Sequence, residues 1–364
     1  MKYLGWVGLV VLISPPVSSA FKEMEVRWVY IFSFSFLASV LLTPIFRTIA
    51  TRYQVMDIPN ERKSHQHPTP LLGGVAIYIG FVASMLLNNI IDYQILAILL
   101  SATFVMVTSL IDDIKRLSAA FKLLIQILAT GIIIASGIRI ILLPQNLLGH
   151  VVNYTLTVLW VVGITNAMNF LDGLDGLAAG LGAIIAFFLG VVAFQTDQPF
   201  LGWFAIAMLG SCLGFLPFNF RVRGPASIFL GDAGSTFIGF TLACLAIKGE
   251  WAIENPIVSL SAPILIFGIP IFDMTHTTIG RVVGGKVATF KSWIAHVSKD
   301  HIHHRMERLF QSKKKSVLLI YSMSACLGIS AVVLRNARTI DAVLIVLQGI
   351  IVFIIFSLIE VRRQ

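Results

Sequence analysis

Residues 177–195 read LAAGLGAIIAFFLGVVAFQ, a run with no Asp, Glu, Lys or Arg at any position. As a helix rising 1.5 Å per residue, a stretch of this kind matches a hydrocarbon core of about 30 Å. Working outward, the run is preceded by the polar segment NAMNFLDGLDG (166–176) and followed, after Asp197 and Gln198, by a second apolar run over 200–218. The same alternation of long apolar runs and short polar breaks extends to both ends of the chain. Of the 364 residues, 57% are hydrophobic and only 12% charged, with a mean hydropathy of +0.88. A soluble domain carries about a quarter charged residues, so a chain this apolar has lipid as its solvent.

The remaining apolar runs fall at 28–50, 71–90, 93–111, 120–142, 151–170, 234–250, 257–275, 315–334 and 341–360. With the two runs above, they predict an all-α polytopic membrane protein of about eleven transmembrane helices. Residues 1–20 carry Lys2, an apolar stretch to Ile13, Pro15 and Pro16, and the small residues Val17 to Ala20. That order resembles a secretory signal segment, and an extra first helix is the alternative. The expected organisation is a signal-like segment and short outer loop over 1–27, and a single integral-membrane domain over 28–364.

Arg and Lys set the orientation. If the loop before residue 28 lies outside, the alternate loops inside carry Arg52, Arg62 and Lys63, then Lys115, Arg116 and Lys122. Arg221 and Arg223, the run from Arg281 to Lys315, and Arg362 and Arg363 complete that side. The outer loops hold only Lys22, Arg27, Arg139, Lys248, Arg335 and Arg338. An excess of Lys and Arg marks the cytoplasmic side. The net charge of +9 is spread over these short loops rather than gathered in one tract, which argues against a nucleic-acid partner. Cys212, Cys244 and Cys326 sit singly inside apolar runs. Their spacing suits neither a disulfide framework nor a zinc site, and small core residues are expected.

The unusual polar residues gather at the cytoplasmic ends of these runs. Asp112 and Asp113 close one of them, and two adjacent carboxylates repel unless they share a cation or a proton. They are candidates for a general base or a metal site. In NAMNFLDGLDG, Asn166 and Asn169 are three apart and share a helix face, after which two Asp-Gly pairs, Asp172-Gly173 and Asp175-Gly176, break the helix. Glycine admits a ligand close to backbone N–H groups, and carboxylates hold a cation or a ligand's hydroxyls. FLGDAGS (229–235) opens another helix. Asp232 there suits either an N-cap or a Mg²⁺ ligand beside a phosphate at a helix N-terminus. Last come His301, His303, His304 and Arg305, with no Cys or Glu at zinc spacing, so donation to a diphosphate is the expected role. Lys63 in the first loop, Lys122 and Asn166 are further substrate-binding candidates.

Taken in order, DIPNERKSHQHPTPLLGG (57–74), the IDD pair, NAMNFLDGLDGLAAG, FLGDAGS and the HIHH run resemble the polyprenyl-phosphate N-acetylhexosamine-1-phosphate transferase family, which includes the WecA/TagO and MraY enzymes. The resemblance covers about residues 28–360. It implies a UDP-N-acetylhexosamine donor, a polyprenyl phosphate acceptor and a Mg²⁺ (or Mn²⁺) cofactor. It further implies that Asp112, Asp113, Asp172 and Asp175 are catalytic, that Asp232 and Asn169 bind the metal, and that His301, His303, His304 and Arg305 belong to the nucleotide-sugar site. HIHHR and Asn-Phe-Leu before the first Asp-Gly look like the WecA/TagO branch, which implies transfer of N-acetylglucosamine-1-phosphate. The stretch 287–296 (VATFKSWIAH) departs from the Ser-Pro-Phe version of that branch and is longer. The alternatives are an MraY-type enzyme with a muramoyl-pentapeptide donor and a lipid-linked sugar transporter. A transporter would place its polar groups at midplane in repeated halves.

Overall fold

The stretch 177–195 forms the helix at the centre of the protein. In the structure, a computed structural model that describes residues 2–59, 67–251, 256–285, 300–334 and 337–361, Leu177–Gln195 is helical and buried along most of its length. Lys63 and the departing stretch 287–296 lie outside the described residues. In chain order the helices are α1 (Lys2–Ile13), α2 (Pro15–Glu23), α3 (Arg27–Arg52), α4 (Gly73–Leu87), α5 (Tyr93–Lys115), α6 (Ala119–Ala135) and α7 (Leu147–Phe170). They continue with α8 (Leu177–Gln195), α9 (Pro199–Asn219), α10 (Gly231–Lys248), α11 (Pro256–Ile266), α12 (Gly268–Val283), α13 (Ile302–Phe310), α14 (Lys313–Val333) and α15 (Thr339–Val361).

Local chemistry explains the starts of these helices. Asp92 caps α5 by accepting from Ile95 N at 2.6 Å, and Asn146 caps α7 by accepting from Gly149 N at 2.8 Å. Ser118 does the same for α6 through Phe121 N at 3.2 Å. Each satisfies an N–H that has no partner within its own helix. The first residue of α9 is Pro199, whose missing N–H costs nothing there.

The outward faces of α5, α6 and α7 are apolar and exposed, as at Leu100, Phe104, Leu128 and Leu159. That pattern suits lipid rather than water. One contiguous apolar core runs from Tyr30 to Ala342. Several serine and threonine hydroxyls inside the bundle bond locally or across helices, as Thr236 does with Ser109 at 2.9 Å.

Six described helices (α3, α5, α7, α8, α9 and α14) are long and apolar enough to cross a membrane, or seven if α11 and α12 form one broken span. The expected spans at 71–90, 120–142 and 341–360 appear as α4, α6 and α15, whose apolar lengths fall short of that test. The expected span at 257–275 bends by 79° between α11 and α12. The expected span at 234–250 is α10, which starts earlier, at Gly231, and is enclosed by other helices almost all round. The chain is not wholly α: Met56–Asp57 and Thr69–Pro70 pair antiparallel as β1 and β2, where Pro59, Pro68 and Pro70 rule out a helix. Cys212 and Cys244 are buried as expected, but Cys326 is exposed on α14, so only two of the three cysteines are core residues.

Candidate active site

Four helices (α3, α5, α7 and α9) end at one end of the bundle, and α10 begins there. Their termini surround a cavity of about 830 Å³, within the ~300–1,000 Å³ typical of small-molecule sites. Its lining includes Tyr53 to Ile58 after α3, Asp112, Asp113 and Arg116 at the end of α5, and Asp172 to Asp175 between α7 and α8. Asn219, Phe229, Gly231, Asp232 and His304 also line it.

Asp113 does something that no sequence pattern announces. It lies in the last turn of α5, yet its Oδ1 and Oδ2 accept from Asp232 N at 3.0 Å and Ala233 N at 3.2 Å. The carboxylate of one helix therefore caps the N-terminus of another, where the helix dipole favours negative charge. Asp232 is not the cap of α10: it sits in the first turn, with its side chain turned to Lys122. Lys122 Nζ lies 2.6 Å from Asp112 Oδ2 and 2.9 Å from Asp232 Oδ2, bridging two carboxylates.

The backbone before α10 is fixed by β2. Phe229 N donates to Pro70 O at 2.7 Å, Gly73 N to Phe229 O at 3.0 Å and Gly74 N to Leu230 O at 2.8 Å. At Gly74 the two chains nearly touch, since a Cβ there would lie 2.2 Å from Gly234 Cα. The sequence LLGG is thus the seat that holds FLGD in place.

The two Asp-Gly pairs form the turn between α7 and α8. Asp175 Oδ2 accepts from Ala226 N at 2.9 Å, tying this turn to the segment that leads into α10. Gly176, at φ +84°, donates its N–H to Asn219 Oδ1 at 2.7 Å and accepts at its carbonyl from the Tyr321 hydroxyl at 2.6 Å. Asn219 Nδ2 in turn donates to Ile228 O at 3.0 Å, so one side chain joins both acidic segments. Burial holds the Asp172 carboxyl well above the usual carboxylate range, and the charges of Asp232, Asp113 and Asp175 add to the effect.

The three histidines of the HIHH run have different surroundings. His304 alone of them lines the cavity. His303 is buried, and neither ring nitrogen has a hydrogen-bond partner among the described residues. It fills the space left by Gly173, where a Cβ would fall 2.2 Å from its Nε2. Burial, with His304 and His301 beside it, pushes its pKa well below the ordinary imidazole value. His301 is held by Asp273 of α12, with Nδ1 2.6 Å from Oδ2, and stacks on Phe170 at 5.1 Å between ring centres. Arg305 turns away from the cavity to His276, with Nη1 2.9 Å from Nδ1.

Of the residues singled out from sequence, Asp112, Asp113, Asp172, Asp175, Asp232 and His304 meet at the cavity, with Lys122 bridging two of them. Asn166 and Asn169 share the last turn of α7, but neither lines the cavity, and Asn166 Nδ2 donates to Gln126 Oε1 at 2.6 Å. His301, His303 and Arg305 stand behind the wall rather than on it. Sequence reasoning missed Gln126 and Asp273, although a polar or charged residue inside an apolar run is the signal that finds them. It also missed Asn219 and Tyr321, which carry no such signal.

The donor set suits a hard divalent cation. Six aspartates line the cavity against one arginine, and two of those carboxylates already converge on a cation, the Lys122 ammonium. No group of three or more His, Cys, Asp or Glu is arranged as a metal cage among the described residues. Mg²⁺, which keeps several waters and takes one or two carboxylates plus substrate phosphates, does not need one.

Comparison with known proteins follows the same lines. Residues 95–250 match the family model described as glycosyl transferase family 4. A Bacillus subtilis (strain 168) protein named a probable undecaprenyl-phosphate N-acetylglucosaminyl 1-phosphate transferase is 38% identical over 338 residues, 91% of each chain. A Mycobacterium leprae decaprenyl-phosphate N-acetylglucosaminephosphotransferase is 30% identical over 83% of each chain. An undecaprenyl-phosphate alpha-N-acetylglucosaminyl 1-phosphate transferase of Escherichia coli (strain K12) is 27% identical over 88% of each.

Proposed function

The chain belongs to glycosyl transferase family 4, among the polyprenyl-phosphate N-acetylhexosamine-1-phosphate transferases, and from that premise we propose its reaction. It transfers N-acetylglucosamine-1-phosphate from UDP-N-acetylglucosamine to a polyprenyl phosphate, undecaprenyl phosphate in particular, and releases UMP. The observation that carries this reading is the aspartate-lined cavity of about 830 Å³ at the helix ends, within the range of small-molecule sites.

A phosphate oxygen of the lipid attacks the β-phosphorus of the donor, forming a new P–O bond as the bond to UMP breaks. Such a transfer needs positioning and charge neutralisation more than covalent chemistry. Asp232 and Asp112 are the residues to hold Mg²⁺ or Mn²⁺, which when bound neutralises diphosphate charge in this acidic cavity. Lys122, released from that pair, offers its ammonium to the donor's phosphates. Asp113 fixes the start of α10, and Asp175 with Asn219 fixes the segment that leads into it. Asn169 takes no part in the cavity wall, so its proposed role is support of the Asp172 turn rather than direct ligation.

The cavity end of the bundle carries Arg52, Lys115, Arg116, Arg221, Arg223 and Lys313 to Lys315, and the opposite end carries Arg27, Arg139, Lys248 and Arg338. We therefore place the site on the cytoplasmic face of a bacterial plasma membrane, within one integral domain.

The test is the lipid product. Purified protein, undecaprenyl phosphate, Mg²⁺ and UDP-N-acetylglucosamine should yield a lipid bearing the sugar through a diphosphate, identified by its mass. A monophosphate-linked or phosphate-free product would overturn the reaction, and a product formed only from the muramoyl-pentapeptide donor would overturn the sugar.

A further inference from the structure

The second half of the broken span carries a strip of polar side chains, two of which grip the histidine run. In α12, Asp273, Thr277 and Arg281 follow one another at four-residue spacing and are the polar members of its buried face. Asp273 is fully buried, and its two oxygens are both committed, Oδ2 to His301 Nδ1 at 2.6 Å and Oδ1 to Ile302 N at 2.5 Å. Arg281, two turns on, takes Asp300 with Nε and Nη2, each at 2.8 Å. Residues 300–302 are therefore clipped to α12 at three consecutive positions, the last being the first residue of α13.

The partners assign the hydrogens on His301. A carboxylate only accepts, so Nδ1 carries the hydrogen, and a guanidinium only donates, so Nε2, 3.4 Å from Arg281 Nη2, is the acceptor. Both ring nitrogens are thereby used within the protein, and one ring face meets Phe170, two residues before Asp172. His301 thus has no nitrogen left for a diphosphate. What it does is link α12 to the end of α7 and set the start of α13, whose His304 reaches the cavity.

We propose that Asp273 is a positioning residue for the donor site, acting through His301 to seat both the Asp172 turn and His304. This rests on the transferase reading above. The amide in Asp273→Asn would turn either its oxygen or its NH₂ toward His301. With the NH₂ facing the Nδ1 hydrogen, two donors oppose each other, and relieving that clash by shifting the ring hydrogen to Nε2 sets it against Arg281.

The experiment compares purified full-length wild type with Asp273→Asn, His301→Asn, His301→Phe and Thr277→Val. Asparagine at position 301 offers an N–H where Nδ1 stood, whereas phenylalanine keeps only the stack on Phe170. Amide exchange over residues 300–310 and KM for each substrate are measured. For Asp273→Asn and His301→Phe we expect faster exchange and a fall in kcat/KM for the nucleotide sugar of up to about a hundredfold, the effect of misplacing a site by about 1 Å. That fall sits in the donor KM, with the KM for polyprenyl phosphate unchanged. His301→Asn should recover most of the loss, and Thr277→Val should leave both readouts alone. Equal losses in His301→Asn and His301→Phe would mean that His301 touches substrate, which overturns the inference, as would an unchanged donor KM in Asp273→Asn. If Asp273→Asn does not fold, the two His301 variants decide. A wild type that transfers nothing overturns the transferase reading, whereas an active wild type with an indifferent Asp273→Asn overturns only this inference.

Discussion

Asp232 and Asp113 stand 119 positions apart in sequence and meet at one helix start, each with a separate task. Asp232 faces Lys122 and the cavity, so Asp232→Asn should abolish metal-dependent turnover while leaving the fold intact. Near-normal turnover at low Mg²⁺ in that variant would contradict the assignment. Gly173 is needed because His303 occupies the place of its side chain. Gly173→Ala should lose most activity, and adding His303→Ala should restore part of it, read as kcat/KM of the single and double variants. The same histidine gives a pH dependence. Its folded pKa lies well below the ordinary value of about 6.5 because it is buried. As pH falls through about 6.5 the unfolded chain takes up a proton that the folded chain refuses, so stability present above that pH is lost below it. Thermal unfolding in detergent should therefore shift less between pH 7.5 and 5.5 in His303→Gln than in wild type.

At the scale of elements, the site depends on close contact between α4 and α10. With Gly74 and Gly234 backbone to backbone, Gly74→Val forces the helices apart and moves the start of α10, where Asp113 and Asp232 meet. Overpacking of this kind costs about 1–3 kcal/mol. We expect a lower unfolding temperature together with an activity loss larger than the stability loss explains. The ends of α8 and α9 were legible almost to the residue, because Gly176, the polar break Thr196 to Gln198 and Pro199 bound their apolar runs. The break within 257–275 was not. Pro263 and Gly268 were visible there, but the reason to bend is tertiary: α12 turns aside to bring Asp273 and Arg281 to the histidine run. The tight fit of α10 was hidden too, since a helix enclosed by protein needs no lipid-facing stripe.

Across the whole molecule, the clustering of Asp112, Asp113, Asp172, Asp175 and Asp232 at one end was legible because every one closes or opens an apolar run. Which carboxylate touches which amide was not, since those contacts join segments far apart in the chain. Sidedness can be measured directly. In a cysteine-free background, Val222→Cys, in the exposed loop after α9, should react with an impermeant thiol reagent only from the cytoplasmic side, and Gln145→Cys only from outside. Reversed labelling would put the cavity on the wrong face for a cytoplasmic nucleotide sugar. The most direct test of the central claim is the identity of the nucleotide released by purified protein given UDP-N-acetylglucosamine. Our account predicts UMP, and only when both polyprenyl phosphate and Mg²⁺ are present; release of UDP would mean ordinary glycosyl transfer and would contradict it.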